Sequence, residues 1–513
     1  MLPNKDVYEV AIVGFGPTGA VAAGLLGKKG IRTFVCDKLH DVYDKPRAIA
    51  LDHEIARVFQ HLGLTDKIKP FLEPFTDSVF YGVDGQMIKR MSTVSAPYPL
   101  AHLPSMVFTQ PPVEKVLREH AASYDCIDIQ LGQTLVNLEQ DDDVSILILQ
   151  AEDGSVSTIK AQYVIGCDGA SSAVRGFAGI GLEDLDFDEP WLVVDVLVNE
   201  EGLRKLPTTS VQYCNPQRPC TYLICPGNHR RWEISINAGE DPQEVATPEG
   251  TWRLLAPWIT PQDGELWRQA SYRFHALVAK TWRNKRFFIA GDAAHQQPPF
   301  LGQGMCQGVR DAVNLCWRLE ATLKDGASQV LLDSYGVERK AHVTELTSRI
   351  KGIGKLITER DVEKARARDT KLLAECDGEV KPMPRQDVQP ALTVGFLSPN
   401  HHPAKGTIFP QPLLLNKDGQ QVRMDEIFPA GWKIIFSKEV TADCVQTASK
   451  HYLPALQLAQ LGVGQLLELE GVLESWFSKY AVVAAIVRPD HYIYGVCTNA
   501  QDIAQQLENL TLA

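Results

Sequence analysis

The 513-residue chain has no run of about 18 consecutive apolar residues, so no membrane-spanning helix is expected. It has no excess of positive charge: 51 Lys and Arg stand against 63 Asp and Glu, giving a net charge of −12. A phosphate backbone needs a basic face, so nucleic acid is excluded as a main partner, and an anionic membrane surface finds nothing to attract. Metal and redox spacings are missing too. The eleven cysteines are odd in number and irregularly placed, with no Cys-x-x-Cys pair. Cys214, Cys220 and Cys225 lie close together but lack the paired short spacings of a zinc site. Cys36, Cys126, Cys167, Cys306, Cys316 and Cys497 sit in apolar surroundings and read as buried free thiols in a reducing compartment. No charged-then-apolar leader precedes the first strand pattern, so a cytoplasmic chain is expected. The acceptor pattern Asn509-Leu510-Thr511 therefore carries no weight. Internal repeats and low-complexity tracts are also lacking.

What is present is a globular composition, 44% hydrophobic and 22% charged, with length for two or three domains. Tyr8 to Val13 reads as a buried strand, followed at once by Gly14-Phe15-Gly16-Pro17-Thr18-Gly19. Ala20 to Lys29 reads as a helix of small and apolar residues, and Thr33 to Cys36 as a second strand ending at Asp37 and Lys38. In such a βαβ unit Gly14 permits the tight turn, Gly16 lets backbone approach a pyrophosphate, and Gly19 lets helix and strand pack closely. The helix N-terminus offers free N–H groups and a positive dipole end. Asp37 stands where a carboxylate can hold ribose hydroxyls. The structural alternative is a glycine-rich turn of some other α/β protein; the strand, the helix and the acid in their places argue against it.

This motif alone does not distinguish NAD from FAD. Two later segments do. Asp168-Gly169-Ala170-Ser171-Ser172-Ala173-Val174-Arg175 follows the short buried strand Val164-Ile165-Gly166. Gly291-Asp292-Ala293-Ala294-His295 follows Phe287 to Ala290, and Pro298-Pro299 and Gly302-Gln303-Gly304-Met305 come next. An Asp at a strand end can bind a polyol such as ribityl. A glycine turn opening a helix can aim N–H groups at the anionic edge of a reduced flavin.

In this order and spacing the three motifs resemble class A flavoprotein monooxygenases. Lys45-Pro46-Arg47-Ala48, the Asp311 to Leu319 segment and Arg488-Pro489-Asp490 are similar to the 3-(3-hydroxyphenyl)propionate hydroxylase branch. The resemblance covers essentially the whole chain. It implies that Gly14, Gly16, Pro17, Thr18 and Gly19 cradle the pyrophosphate, that Asp37 and Lys38 border the adenosine ribose, and that Val136 borders the adenine. It implies further that Gln110 contacts FAD, that Asp292 holds ribityl, and that Pro299, Gly302, Gly304 and Met305 surround the isoalloxazine. Asp168 and Arg175 would support FAD and nicotinamide binding. Arg47 would position the flavin, and His295 is a candidate catalytic group. Plainer roles stand beside these: a structural ion pair for Asp168 and Arg175, a solvated charge for Arg47, a hydrogen-bonded core histidine for His295.

The expected fold is α/β: a Rossmann-like FAD-binding domain over residues 1–380 (1–80, 105–185, 280–380), with an interleaved β-sheet substrate domain (about 80–105 and 185–280). Prolines recurring from Lys381 to Pro412 predict a linker over 381–406. Residues 407–513 resemble the thioredoxin-like extension of related phenol-oxidising flavoproteins, with a packing or oligomer role such as a homodimer. Helices are expected over Asp52 to Leu62, Val113 to Ala122, Gln307 to Leu323 and Leu331 to Cys376. Trp191, Tyr213, Tyr222 and Trp232 fall in the inserted sheet, either as pocket lining or as core.

The implied activity is hydroxylation of a small phenolic ring with non-covalent FAD, NADH or NADPH, and O2, through a flavin C4a-hydroperoxide. Two other classes stand beside it. One is a related flavin oxygenase acting on a heteroaromatic or polycyclic substrate by hydroxylation, epoxidation or Baeyer–Villiger chemistry. The other is a non-catalytic flavin-binding protein. The stretch Gln296-Gln297-Pro298-Pro299-Phe300 departs from the branch's more apolar pattern and leaves the substrate open.

Overall fold

The computed structural model describes residues 7–141, 143–449, 456–464 and 466–510. The first motif forms as the sequence predicts. The strand Tyr8–Val13 is buried at its centre, the helix Pro17–Lys28 follows, and the strand Thr33–Asp37 pairs parallel to the first. The strand Val156–Gly166 lies parallel on the other side of Tyr8–Val13, with Phe287–Ile289 parallel beyond it. Register brings the strand ends together: Val13 pairs with Cys36 and with Gly166, and Gly166 pairs with Ile289. The Gly14 turn, Asp37, Asp168 and Asp292 thus all emerge along one edge of one sheet, where open α/β sheets place their ligands.

The sequence predicts two short strands between Val156 and Gly166; they form one continuous strand, which also carries an antiparallel ribbon of Gln133–Gln140 and Ser145–Ala151. The predicted helix Leu331 to Cys376 is two helices, Gln329–Thr358 and Val362–Ala374. The break comes at Asp361, whose side chain accepts from Lys364 N at 3.0 Å and caps the second helix.

Nine strands form a second sheet over this domain. Its middle runs Gly264–Ala279, Leu182–Val198, His229–Ser235, Cys220–Ile224, Ser210–Tyr213, Ser78–Tyr81 and Met87–Ser92. Pro382–Pro384 adds an edge strand beside Met87–Ser92, so the proline-rich segment runs along the sheet. Side chains alternate between faces. Leu192, Val194, Tyr222, Trp232 and Ile234 make a core on one face, while the opposite parity faces the first domain.

The C-terminal residues build a four-stranded sheet in the order Gln457–Gln460, Lys433–Phe436, Ala484–Val487, Ile493–Cys497. The first pair is parallel and the other two are antiparallel. This unit is locked to the first domain by buried ion pairs. Arg57 grips Asp425 at 2.6 and 3.0 Å, and Arg488 reaches Glu338 at 2.6 and 2.8 Å. All eleven cysteines are free thiols. No described helix is long and apolar enough to cross a membrane, and no cluster of His, Cys, Asp or Glu among the described residues could hold a metal ion.

Candidate flavin and substrate site

A cavity of about 390 Å³ lies between the glycine edge of the first sheet and the polar face of the second. Gly14, at φ +99°, leaves no room for a side chain: a Cβ would sit 2.4 Å from the carbonyl oxygen of Cys167. Gly16 is the opposite case, with nothing within 4 Å of a Cβ position. That open space caps the helix Pro17–Lys28, whose first turn carries no acidic residue and whose N-terminus has no side-chain cap. Its orphan N–H groups therefore face a space an anion can fill. A second helix, Gly304–Asp325, opens on the same cavity, again without a side-chain cap or an acid in its first turn.

Asp292 is exposed into the cavity, and its carboxylate has no partner among the described residues. The turn that aims it is held from behind. Gly291 N donates to Asp311 Oδ2 at 2.9 Å, and His295 Nε2 lies 2.8 Å from the same oxygen. Burial would push the Asp311 carboxyl up, but His295 and Arg339 outweigh it and hold it below the usual carboxylate range. His295 itself is buried, stacked on Trp282, and does not line the cavity.

Arg47 is exposed over the cavity with no side-chain partner among the described residues, while its loop is fastened firmly. Ala48 N donates to Gln110 Oε1 at 2.6 Å, and Gln110 is in turn held by Glu114. Asp37 accepts from Phe15 N at 2.6 Å and from Leu39 N at 2.8 Å, which pins the glycine turn to the second strand. Asp168 and Arg175 are not an ion pair. Asp168 accepts from Ser172 Oγ and Val174 N, and Arg175 donates to the carbonyls of Ala293 and Ala170 at 2.9 Å. Both therefore shape the two turns that border the cavity. Lys38 and Val136 are exposed and stand outside it.

The residues present suit a flavin dinucleotide. Two uncapped helix N-termini, a free carboxylate and space where Gly16 and Gly304 lack side chains all face one cavity. The Gln297 amide lines it with both polar atoms buried and unpartnered, a state that calls for a ligand. A family model described as FAD binding domain matches residues 7–350, and one described as HcaD C-terminal domain matches residues 406–513.

The chain belongs to the class A flavoprotein aromatic hydroxylases.

Among members of this family, it is 33% identical over 519 residues to a probable NADH-specific resorcinol 4-hydroxylase of Rhodococcus jostii (strain RHA1), covering 99% of this chain and 96% of that one. It is 30% identical over 532 residues to a 3-(3-hydroxy-phenyl)propionate/3-hydroxycinnamic acid hydroxylase of Mycobacterium sp. (strain JLS), covering 98% and 91%. The crystal structure of the flavin-dependent monooxygenase PieE, in complex with FAD and substrate, shares the fold: TM-score 0.81 at 19% identity, over 98% of each chain. As a flavoprotein aromatic hydroxylase the chain is an FAD-dependent monooxygenase that uses NAD(P)H and O2.

The substrate side of this hydroxylase is what sequence patterning missed. Trp191, Tyr222 and Trp232 are fully buried in core, and Tyr213 packs on Trp258. The cavity wall is made by residues of opposite parity on the same strands: Gln212, Thr221, Leu223, Arg231 and Glu233, with Val193, Tyr272 and Phe274 beyond. Only the strand alternation around those aromatics could have pointed to them. Arg385, from the proline-rich segment, closes one side of the cavity and lies over the Phe75 ring at 4.1 Å.

Proposed function

We propose that this enzyme hydroxylates a single phenolic ring of the resorcinol or hydroxyphenyl-acid type, with NADH as the preferred reductant. The observation that carries this reading is the cavity's composition. The cavity of about 390 Å³ opens beside the flavin cradle. The wall facing the flavin cradle presents Gln212, Thr221, Glu233 and Tyr272, groups suited to ring hydroxyls, between the apolar Val193 and Phe274. The activities that name the two relatives point the same way.

In this reading Gly16, Pro17, Thr18 and Gly19 hold the pyrophosphate against the first helix, with Gly14 keeping the turn closed. Asp37 and Lys38 border the ribose and Val136 the adenine. Asp292 takes ribityl hydroxyls. Pro299, Gly302, Gly304 and Met305 border the flavin ring beside Gln110, and Arg47 faces it as a mobile cation. Asp168 and Arg175 keep the neighbouring turns in shape, and His295 acts through Asp311 as a positioning residue. When bound, FAD supplies hydride acceptance from NAD(P)H and activation of O2. The protein's own part is to exclude water with Phe274, Phe300 and Leu301 and to orient the ring against the polar wall.

The division into residues 1–380, a connecting segment 381–406 and a unit 407–513 belongs to the same proposal. So does a thioredoxin-like character for the last unit, supported by its strand order and by helices Ala442–Ser449 and Val472–Tyr480 in the two crossovers. Eleven free thiols suit a cytoplasmic setting, and a homodimer is the assembly proposed. The test is NADH and NADPH oxidation by the holoenzyme across a panel of phenols, phenolic acids and polycycles under labelled oxygen gas. Stimulation by single-ring phenols with one oxygen-18 in the product is expected. Stimulation by polycycles alone, or unlabelled product, would overturn it.

A further inference from the structure

Glu233 is a buried carboxyl without a hydrogen-bond partner among the described residues. It stands on the cavity face of the strand His229–Ser235, with Thr221 opposite on one neighbouring strand and Val193 opposite on the other. It is 3% exposed, and no hydrogen-bond or ion-pair partner exists for it among the described residues. The nearby cations hydrogen-bond other groups, with Arg268 Nε left unpartnered. Arg231 binds Asp195 at 2.7 and 3.0 Å and the carbonyls of Arg47 and Pro46. Arg268 donates to the Pro46 carbonyl at 2.7 Å and to Tyr272 Oη. Further along the same row, Thr221 donates to Gln212 Oε1 at 2.6 Å. That leaves the Gln212 amide N–H groups and the lone pairs of the Thr221 hydroxyl free to serve a guest. A buried carboxyl without a partner is costly unless a ligand supplies one.

We propose that Glu233 is a catalytic residue: it takes the proton from the ring hydroxyl of the phenolic substrate, while Gln212 and Thr221 hold that oxygen in place. This deepens the function proposed above and rests on it. The substrate O–H bond breaks, a new O–H bond forms on a Glu233 carboxylate oxygen, and the electron pair stays on the substrate oxygen. From there it raises electron density at the ortho and para carbons, which is what an electrophilic oxygen needs. When the hydroxylated ring loses its ring proton to water and becomes aromatic again, the substrate oxygen recovers its proton from Glu233.

The electrostatics suit the task. Burial pushes the Glu233 carboxyl up and Asp195 adds to this, against Arg231 and Arg268, which leaves it at about 7. A base works best when its pKa lies near the working pH. Of the other titratable groups around this patch, burial pushes the Cys225 thiol up and holds His229, behind Asp195, down; Tyr272 and Asp292 also line the cavity, while Cys220 faces the core on the other side of the sheet.

The experiment uses the FAD-loaded enzyme and its Glu233→Gln variant, which keeps shape but cannot accept the proton. Turnover of a phenol that the wild type hydroxylates should fall by about 100-fold or more with KM little changed, and the rise of kcat through about pH 7 should vanish. Bound 4-nitrophenol, whose ionisation is visible in its absorbance, should ionise at lower pH in the variant than in the wild type, because the amide removes the carboxylate charge that opposes the phenolate. Turnover within about threefold of wild type, with the same pH profile and the same ionisation of bound 4-nitrophenol, would overturn the assignment. If Glu233→Gln loses FAD or melts early, Glu233→Asp decides: its shorter reach should cost about tenfold and move the probe's ionisation, and unchanged values overturn the proposal. A wild type that hydroxylates no phenol removes the proposed function itself, and this inference with it.

Discussion

Arg231 Nη1 donates to the backbone carbonyl of Arg47 at 2.8 Å, so the substrate sheet holds the main chain of the flavin-side loop while the Arg47 guanidinium stays free. The grip is stiff because Arg231 is itself fixed by Asp195, a buried carboxylate that also binds His229 Nε2 at 2.7 Å. Through this contact the sheet that lines the cavity is tied to the loop carrying the Arg47 cation.

Arg231→Lys should weaken that coupling. An ammonium cannot reproduce the two-pronged contact with Asp195 and also reach two carbonyls. We expect slower substrate-stimulated FAD reduction in stopped-flow measurements, a higher peroxide yield and a lower Tm. Unchanged reduction and coupling would separate the loop anchor from the chemistry.

Arg47→Ala should act on function alone. The side chain makes no partnered contact among the described residues, so stability should change by less than about 0.5 kcal/mol. FAD should stay bound. Substrate-stimulated reduction should slow, and more NAD(P)H should end as peroxide, measured as hydroxylated product per NAD(P)H consumed. An unaltered rate and product ratio would remove Arg47 from the mechanism.

Asp292→Ala should loosen FAD. The carboxylate faces the cavity unpartnered, and a hydrogen bond to a charged group contributes about 1.5–3 kcal/mol, roughly 10- to 150-fold in Kd. Flavin titration of the apoprotein measures this. Acid precipitation should release all flavin from the wild type, the outcome expected of a non-covalent attachment; yellow precipitated protein would contradict that.

The junction with the C-terminal unit should govern acid stability. Burial would push Glu338 up, but Arg318 and Arg488 outweigh it and hold the carboxyl at about 2. An unfolded Glu titrates at about 4.3, so the folded form binds the proton less readily. The stabilisation is therefore fully present above about pH 4.3 and is lost as pH falls through about 2. Glu338→Gln leaves the buried Arg318 guanidinium without its carboxylate and Arg488 with Asp490 alone, which should cost about 3–5 kcal/mol at neutral pH and flatten the acid limb of the melting curve. A variant with the wild-type Tm at neutral pH would show that the network contributes no stability.

The glycine turn and the Gly291-Asp292 turn were legible in the sequence because they are local. Gly14, Gly16 and Gly19 lie within one strand–turn–helix unit whose backbone geometry admits little else, and Gly291-Asp292 follows its strand directly. Capping was less legible: nothing in the hydrophobic period marks Asp361 as the point where one long helix becomes two. The role of His295 also lay outside the sequence, since its partner Asp311 is sixteen residues away on another element.

The sequence by itself determined the cofactor class and the order of the elements, because a pyrophosphate cradle is set by neighbours along the chain. Tertiary structure alone decided the substrate wall. Gln212, Thr221 and Glu233 come from three strands, and only the register of those strands places them side by side. Alternation then decided which side chains see the cavity: Tyr222 and Trp232 face away into core, while their polar neighbours Thr221 and Glu233 face the cavity.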